Sequence, residues 1–361
     1  MRFQLTDEQR ALQDAVRSFL RDKLGPQQLR AVYEDPSGSG VPDGIWEAFG
    51  AQGWLAVTVP EEHDGLGLGL LDAAVIARAF GAGTVPGPWL PTVVLGEAVR
   101  LYGGDEQKKA LLPRLAAGEV RGAVALLKPG SSPYPSGAPA TATDGRLSGQ
   151  LELVEHAAHA DTILVAAQDG LYLVERSAVQ VQEHQALDRT SRLANVVLDG
   201  TPGERLEGSS GGDWQELLDR AAVLAANDLV GIARKALTDT VEYDKTRVQF
   251  GKPVGSFQAL QHALADIHLA VTMAEHAALY AAHAFDVPLP DAAAAASVAK
   301  SKSGDAAEAA TSGMVQFHGG IGFTWEHDTH FYLKRAQRLA HAFGDAGQHR
   351  ERIARLVIDA S

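Results

Sequence analysis

Tyr243-Asp244-Lys245-Thr246-Arg247-Val248-Gln249-Phe250-Gly251-Lys252-Pro253-Val254, followed by Phe257-Gln258-Ala259-Leu260-Gln261, is the stretch on which the fold turns. Arg247 closes one long helical pattern and Phe257 opens the next, with a Gly/Pro loop between them. Upstream, Leu218, Ala222, Ala225, Leu229, Ala233, Ala236 and Thr240 share one face of a helix running roughly over 214–246. Downstream, Leu260, Leu264, Ile267, Val271, Ala274, Ala278, Ala281 and Phe285 alternate spacings of four and three. That seam, sustained over about four heptads and rich in Ala, predicts a helix packed closely along its length in a bundle. An Arg fork presented from the loop suits a pyrophosphate, gripped bidentately, with the N–H groups of the following helix adding to anion binding. The same spacing also fits a plain helix–helix turn in which Arg247 complements a helix dipole.

Further along, Ala292 to about Phe317 reads as a third helix, with more helix near 331–342 and 346–358. Between them lies Gln316-Phe317-His318-Gly319-Gly320-Ile321-Gly322-Phe323, with three glycines in four positions. Such a run permits close backbone approach to a ligand, and equally a helix cap and turn. His-Gly-Gly also occurs in hydrolase oxyanion holes, but no Gly-x-Ser-x-Gly elbow accompanies it. His327 and His330 are three apart, yet Glu326 and Asp328 are not in a zinc-protease arrangement, so no metal site is predicted.

Toward the N-terminus, residues 1–116 read as helices joined by Gly/Pro turns. Thr6 with Gln9 predicts a capping box, and Leu12, Val16, Phe19, Leu20 and Leu24 form an apolar stripe stopped by Gly25-Pro26. Ile45, Trp46 and Phe49 mark a second helix, and Leu71, Ala74, Val75 and Phe80 a third. Over 117–210 the period shortens: β-like runs at 120–127, 162–166 and 194–198 alternate with Pro/Gly/Ser segments. Gly208 to Gly212 reads as a linker into the helical remainder, 211–361. The expected fold class is therefore mostly α with a middle β domain.

Composition narrows the functions open to such a chain. At 361 residues, 45% hydrophobic and 21% charged, it has the means to bury a core. A formal net charge of −13 opposes general binding to nucleic acid or anionic membranes, so an anionic ligand must meet a local cluster of donors. Zero cysteines exclude disulfides, a thiolate nucleophile and a cysteine metal cage. With no apolar run of membrane-spanning length and no apolar signal core at Met1–Gln9, a bacterial cytoplasmic protein is expected.

The two ligand-like segments together resemble the flavin-dependent acyl-CoA dehydrogenases. The likeness extends through Gly53-Trp54-Leu55, Val59-Pro60-Glu61-Glu62, Gly65-Leu66-Gly67-Leu68-Gly69, Gly104-Asp105-Glu106-Gln107-Lys108, Leu112-Pro113 and Leu115-Ala116-Ala117-Gly118-Glu119. The resemblance implies an N-terminal helical domain (1–116), a middle β-barrel (117–210) and a C-terminal four-helix bundle (211–361). It implies FAD, an acyl-CoA substrate undergoing α,β-desaturation, and electron-transfer flavoprotein as acceptor. It also implies that Arg247, Gln249, Phe250, Phe257 and Gln258 reach across a dimer interface to FAD bound mainly by the neighbour. Gln316, Gly319 and Gly320 would lie along its adenosine–pyrophosphate part.

Elsewhere the chain departs from that family. The Glu that serves as base holds one of two positions, and these carry Phe343 and Ala221 here. Neither accepts a proton, so the catalytic residues are unknown; Asp219, Asp228 and Asp345 are merely nearby carboxylates. The family's Thr-Glu-Pro segment reads Leu127-Lys128-Pro129-Gly130-Ser131, and its flavin-contacting strand reads Gly149 to Glu155, an acid where a donor is expected. An intact donor half beside a broken acceptor half resembles one chain of actinobacterial α2β2 steroid-CoA dehydrogenases, whose paralogous partner carries base and flavin pocket. The alternatives are a homo-oligomeric enzyme with a displaced base such as Asp345, and a non-catalytic structural relative.

Overall fold

The computed structural model describes residues 4–127 and 137–358. Helix α1 (Asp7–Lys23) opens on the expected capping box: Thr6 Oγ1 accepts from the Gln9 N–H, and Gln9 Oε1 from the Thr6 N–H. There follow α2 (Pro26–Glu34), α3 (Ile45–Ala51), α4 (Leu70–Ala82), α5 (Trp89–Tyr102) and α6 (Asp105–Ala116). The strands β1 (Gly122–Ala125), β2 (Thr141–Thr143), β3 (Arg146–Glu155), β4 (Thr162–Ala167), β5 (Gly170–Glu175), β6 (Gln180–His184), β7 (Leu193–Pro202) and β8 (Glu204–Arg205) make up the middle. Then come α7 (Asp213–Thr246), a hairpin of β9 (Val248–Gln249) and β10 (Lys252–Pro253), α8 (Gln258–Asp286), α9 (Ala292–Phe317), α10 (Thr329–His341) and α11 (Ala346–Val357). The order is helical, β, helical, as expected.

By contacts the chain divides into two units, one of residues 27–73 and 86–221, the other of the remainder. In the first, two four-stranded sheets, ordered β1-β4-β5-β8 and β2-β3-β7-β6, enclose one apolar core. Leu147, Leu151, Ile163, Val165, Val174 and Val196 fill it, alternate residues of their strands, as a two-residue period requires. An isolated bridge between Ala140 and Ala167 links the sheets. There the Gln168 amide extends the ladder, accepting from the Ala142 N–H and donating to its carbonyl.

The Gly208–Gly212 stretch, expected as a linker, connects β8 to α7 but is held fast. Ser209 is buried with its hydroxyl donating to Leu206 O, and the Ser210 N–H donates to Asp213 at the start of α7. At Gly211 a Cβ would stand 2.2 Å from the Gln168 carbonyl oxygen, so the glycine is required by close backbone approach.

In the second unit, α8, α10 and α11 pack on α9, and α7 lies against α8. Asn227 of α7 is fully buried, donating to Val223 O and accepting from Arg78 of α4. Arg78 and Arg234 both reach Glu275 of α8, tying three helices through one carboxylate. The predicted face of α7 is buried throughout. The α8 seam is buried at Val271, Ala274, Ala278 and Ala281, whereas Leu260, Leu264 and Ile267 are only half-buried. The periodicity is continuous; among the described residues the burial is not.

Candidate cofactor-binding surface

Arg247 follows the last turn of α7, its N–H bonded to Tyr243 O, and its carbonyl accepts from the Val254 N–H across the hairpin. The hairpin closes through Phe250 (φ 55°) and Gly251 (φ 79°), two consecutive left-handed residues, as the two-residue turn that suits strand twist demands. Glycine at the second position takes this without strain; Phe250 does not, and its side chain is 91% exposed. Phe257 meets Phe250 edge-on at 6.2 Å, and the Lys252 ammonium sits 4.2 Å from the Phe257 ring centroid. Arg247, Gln249 and Gln258 are all exposed.

Gln316 to Gly320 spans the end of α9 and the turn after it. Gln316, Gly319 and Gly320 are exposed, and a Cβ on either glycine would meet nothing within 4 Å. His318 is buried, with Nδ1 2.7 Å from the Met314 carbonyl oxygen. Burial lowers its pKa below the usual imidazole range. The neutral ring therefore donates from Nδ1. His318 stacks on Tyr243 at 4.2 Å between centroids, and Tyr243 Oη donates to His318 O. The two sequence segments thus form one surface. Nothing in the spacing predicted this stack between residues 75 apart.

The expected base positions are both aprotic. Ala221 is fully buried within α7. Phe343 sits in a left-handed turn (φ 57°) that is pinned from two sides: Lys300 donates to Ala340 O and Gly344 O at 2.8 Å each, and His349 Nε2 to Phe343 O at 3.0 Å. The nearby acids are engaged. Asp345 caps α11, accepting from the Gln348 N–H; Asp228 is buried in a two-pronged pair with Arg335; Asp219 is buried and has a partner. Lys300 and its grip on this turn had no signature in sequence.

In the β unit, Gly149 to Glu155 is strand as expected, pairing with β7 but with register shifts. Leu153 (φ 53°) is exposed at the second of them, and Glu155 ends the strand opposite Leu193. Of the Leu127–Ser131 segment only Leu127 lies among the described residues.

Comparison with known proteins places this architecture in a class. The family model of the acyl-CoA dehydrogenase N-terminal domain matches residues 6–119, and that of the C-terminal domain residues 213–358. The chain belongs to the acyl-CoA dehydrogenase family, and with that come FAD as cofactor and oxidoreductase chemistry on a CH–CH bond. Among similar proteins, acyl-CoA dehydrogenase IpdE2 of Mycolicibacterium smegmatis is 34% identical over 353 residues, covering 98% of both chains. Acyl-CoA dehydrogenase FadE34 of Mycobacterium tuberculosis is 32% identical over 98% of this chain and 48% of its own length. Among solved structures, a variant of the Tcur3481-Tcur3483 steroid ACAD superposes with a TM-score of 0.90 at 29% identity, covering 98% of each chain. The ChsE4-ChsE5 complex from Mycobacterium tuberculosis does so at 0.89, with 25% identity and the same coverage.

Proposed function

We propose that this chain is the cofactor-donating subunit of a hetero-oligomeric acyl-CoA dehydrogenase, working with a paralogous chain that supplies the base and the flavin-ring pocket. The observation that carries the reading is a contrast. Arg247, Gln249, Gln258 and Gln316 are exposed and have no side-chain hydrogen-bond partner among the described residues, while the base positions hold Phe343 and Ala221. The open space over Gly319 and Gly320 suits close approach of a ligand's phosphate or sugar edge. These groups fit the adenosine–pyrophosphate end of FAD; Glu155 and the aprotic positions do not fit the ring end.

When bound, FAD accepts the hydride that leaves the acyl β-carbon. This chain's part is to bind and orient: Arg247 to grip the pyrophosphate bidentately, Gln249, Gln258 and Gln316 to donate hydrogen bonds, Phe250 and Phe257 to pack beside it. Proton removal falls to the partner. We take the domains to run 1–116, 117–210 and 211–361, with electron-transfer flavoprotein as acceptor. Two-chain names among the similar structures, and a steroid ACAD among them, favour a paralogous partner and a bulky steroid side-chain CoA thioester.

The test is to purify the chain alone and co-expressed with a paralogue that has the base, then compare flavin absorbance with dye-linked acyl-CoA oxidation. Flavin and turnover are expected only in the complex, with Arg247→Ala stripping flavin from it. A lone chain with a full complement of flavin and full activity overturns the proposal.

A further inference from the structure

Beside the Arg247 hairpin a groove of about 740 Å³ runs between the last turns of α7 and the first turns of α8. Leu237, Val241, Pro253 and Leu264 give it an apolar lining. Asp244 also lines it, only 1% exposed, and neither carboxylate oxygen has a hydrogen-bond partner among the described residues. Burial pushes its carboxyl up to about 6. A buried, unpaired carboxylate is costly and calls for a counter-charge.

The groove's own cations are committed elsewhere. Arg234 pairs with Glu275, His268 lies against Arg234, and Lys245 pairs with Glu242. A metal ion is a poor occupant, because no group of three or more His, Cys, Asp or Glu among the described residues is placed to hold one. The groove meets the half-buried part of the α8 seam at Leu264, and the hairpin and the turn after it at Pro253, Gly255 and Ser256. Its occupant must therefore be apolar along its length and basic at one point. A second copy of a chain carrying −13 charges meets that demand poorly.

We infer that the groove receives a lysine or arginine from the paralogous partner chain, borne on an apolar segment that covers the α8 seam, and that its cation pairs with Asp244. This rests on the hetero-oligomeric reading above. The pair would lock the partner three residues from Arg247, so assembly and cofactor grip share one anchor.

The experiment measures dissociation of the complex by sedimentation velocity on dilution, for wild type and for Asp244→Asn, Asp244→Ala and Asp244→Lys, with thermal unfolding of each lone chain beside it. Asn keeps the shape and Lys reverses the charge. The expected result is about 10-fold weaker assembly for Asn and Ala and about 100-fold or more for Lys. Lone Asn and Ala chains should melt at or above the wild-type temperature, since a buried unpaired charge has gone. Assembly of Asp244→Asn and Asp244→Lys at wild-type affinity overturns the groove assignment and leaves the functional reading standing. Substitutions that lower the lone chain's melting temperature without weakening assembly also overturn it, making Asp244 a structural acid. Loss of self-association alone assigns the groove to a second copy, against the proposal. Lone-chain flavin loading and turnover sink the functional reading whatever Asp244 does, and a chain that forms no heteromer sinks both.

Discussion

The ring of Tyr243 lies on that of His318, 4.2 Å between centroids and 20° from parallel, and its hydroxyl donates to the His318 carbonyl at 3.3 Å. One contact thereby joins the end of α7, just before Arg247, to the end of α9, which carries Gln316 and leads into the paired glycines. Together the two segments form a surface with a fixed spacing between its donors.

Removing that stack should loosen the surface without unfolding the chain. Aromatic stacking contributes about 0.5–1.5 kcal/mol and the hydrogen bond about 1 kcal/mol. Tyr243→Ala is therefore expected to weaken FAD binding in the assembled enzyme by roughly 10-fold or more. Tyr243→Phe, which keeps the ring, should lose only a fraction of that. Flavin titration by fluorescence quenching reads both. Equal affinity for Tyr243→Ala and wild type would mean that the two segments act separately.

Arg335 and Asp228 make a buried two-pronged pair, at 3.1 and 2.5 Å, and Arg335 also donates to Val85 O. Breaking a buried pair from one side strands the remaining charge, at a cost of about 3–5 kcal/mol. Arg335→Met should lower the unfolding free energy from urea titration by that measure, a large part of a typical domain's total stability. A loss under about 1 kcal/mol would show the Asp228 carboxylate to be solvated in the variant.

Lys300 and His349 give the turn at Phe343 a pH signature. Burial lowers the Lys300 pKa from 10.5 to about 7, and burial, with Lys300 nearby, lowers that of His349 from 6.5 to about 3. Both folded values lie below the unfolded ones, so the unfolded chain binds more protons and stability rises with pH in each window. The His349 contribution is complete above about pH 6.5 and is lost as pH falls toward 3. The Lys300 window is from about 7 to 10.5, at up to about 1.4 kcal/mol per pH unit. In Lys300→Met the carbonyls of Ala340 and Gly344 lose their donor, a cost of about 1–3 kcal/mol. Its deficit against wild type should widen from pH 7 to 9.5 in urea unfolding. Parallel pH profiles for the two proteins would rule this account out.

What sequence made legible was whatever is local or periodic. The capping box at Thr6, the buried face of α7, the helix–hairpin–helix about Arg247 and the glycines after His318 follow from spacings of a few residues. The switch of period at about 117 and back near 211 gave the helical, β, helical order, and the acyl-CoA dehydrogenase motifs agreed with it. Long-range pairings were invisible. Asp244 lies inside the quoted Tyr243–Val254 stretch without a local signature, yet it is buried. Asp345, weighed as a displaced base, is spent on a helix cap that depends on Gln348. The α8 seam looks uniform as a string, but among the described residues it is buried only from Val271 to Ala281.

A close helix contact gives a prediction whose sign, not size, decides it. Gly81 of α4 and Gly231 of α7 face each other's backbones: a Cβ on Gly81 would stand 1.9 Å from Asp228 O, and one on Gly231 2.0 Å from Arg78 O. Alanine is intrinsically the better helix former by up to about 1 kcal/mol. Here the obstructing atoms are backbone carbonyls that cannot rotate aside, so overpacking of about 1–3 kcal/mol or more outweighs that gain. Gly96 of α5 is also helical and buried, but a Cβ there meets nothing within 4 Å. Gly231→Ala should therefore lower the melting temperature while Gly96→Ala raises it, the latter reflecting a gain of about 0.5–1 kcal/mol in stability. If Gly231→Ala is neutral or stabilising, α4 and α7 are free to part by the width of a methyl group, and the Arg78–Glu275–Arg234 link would not hold them at this spacing.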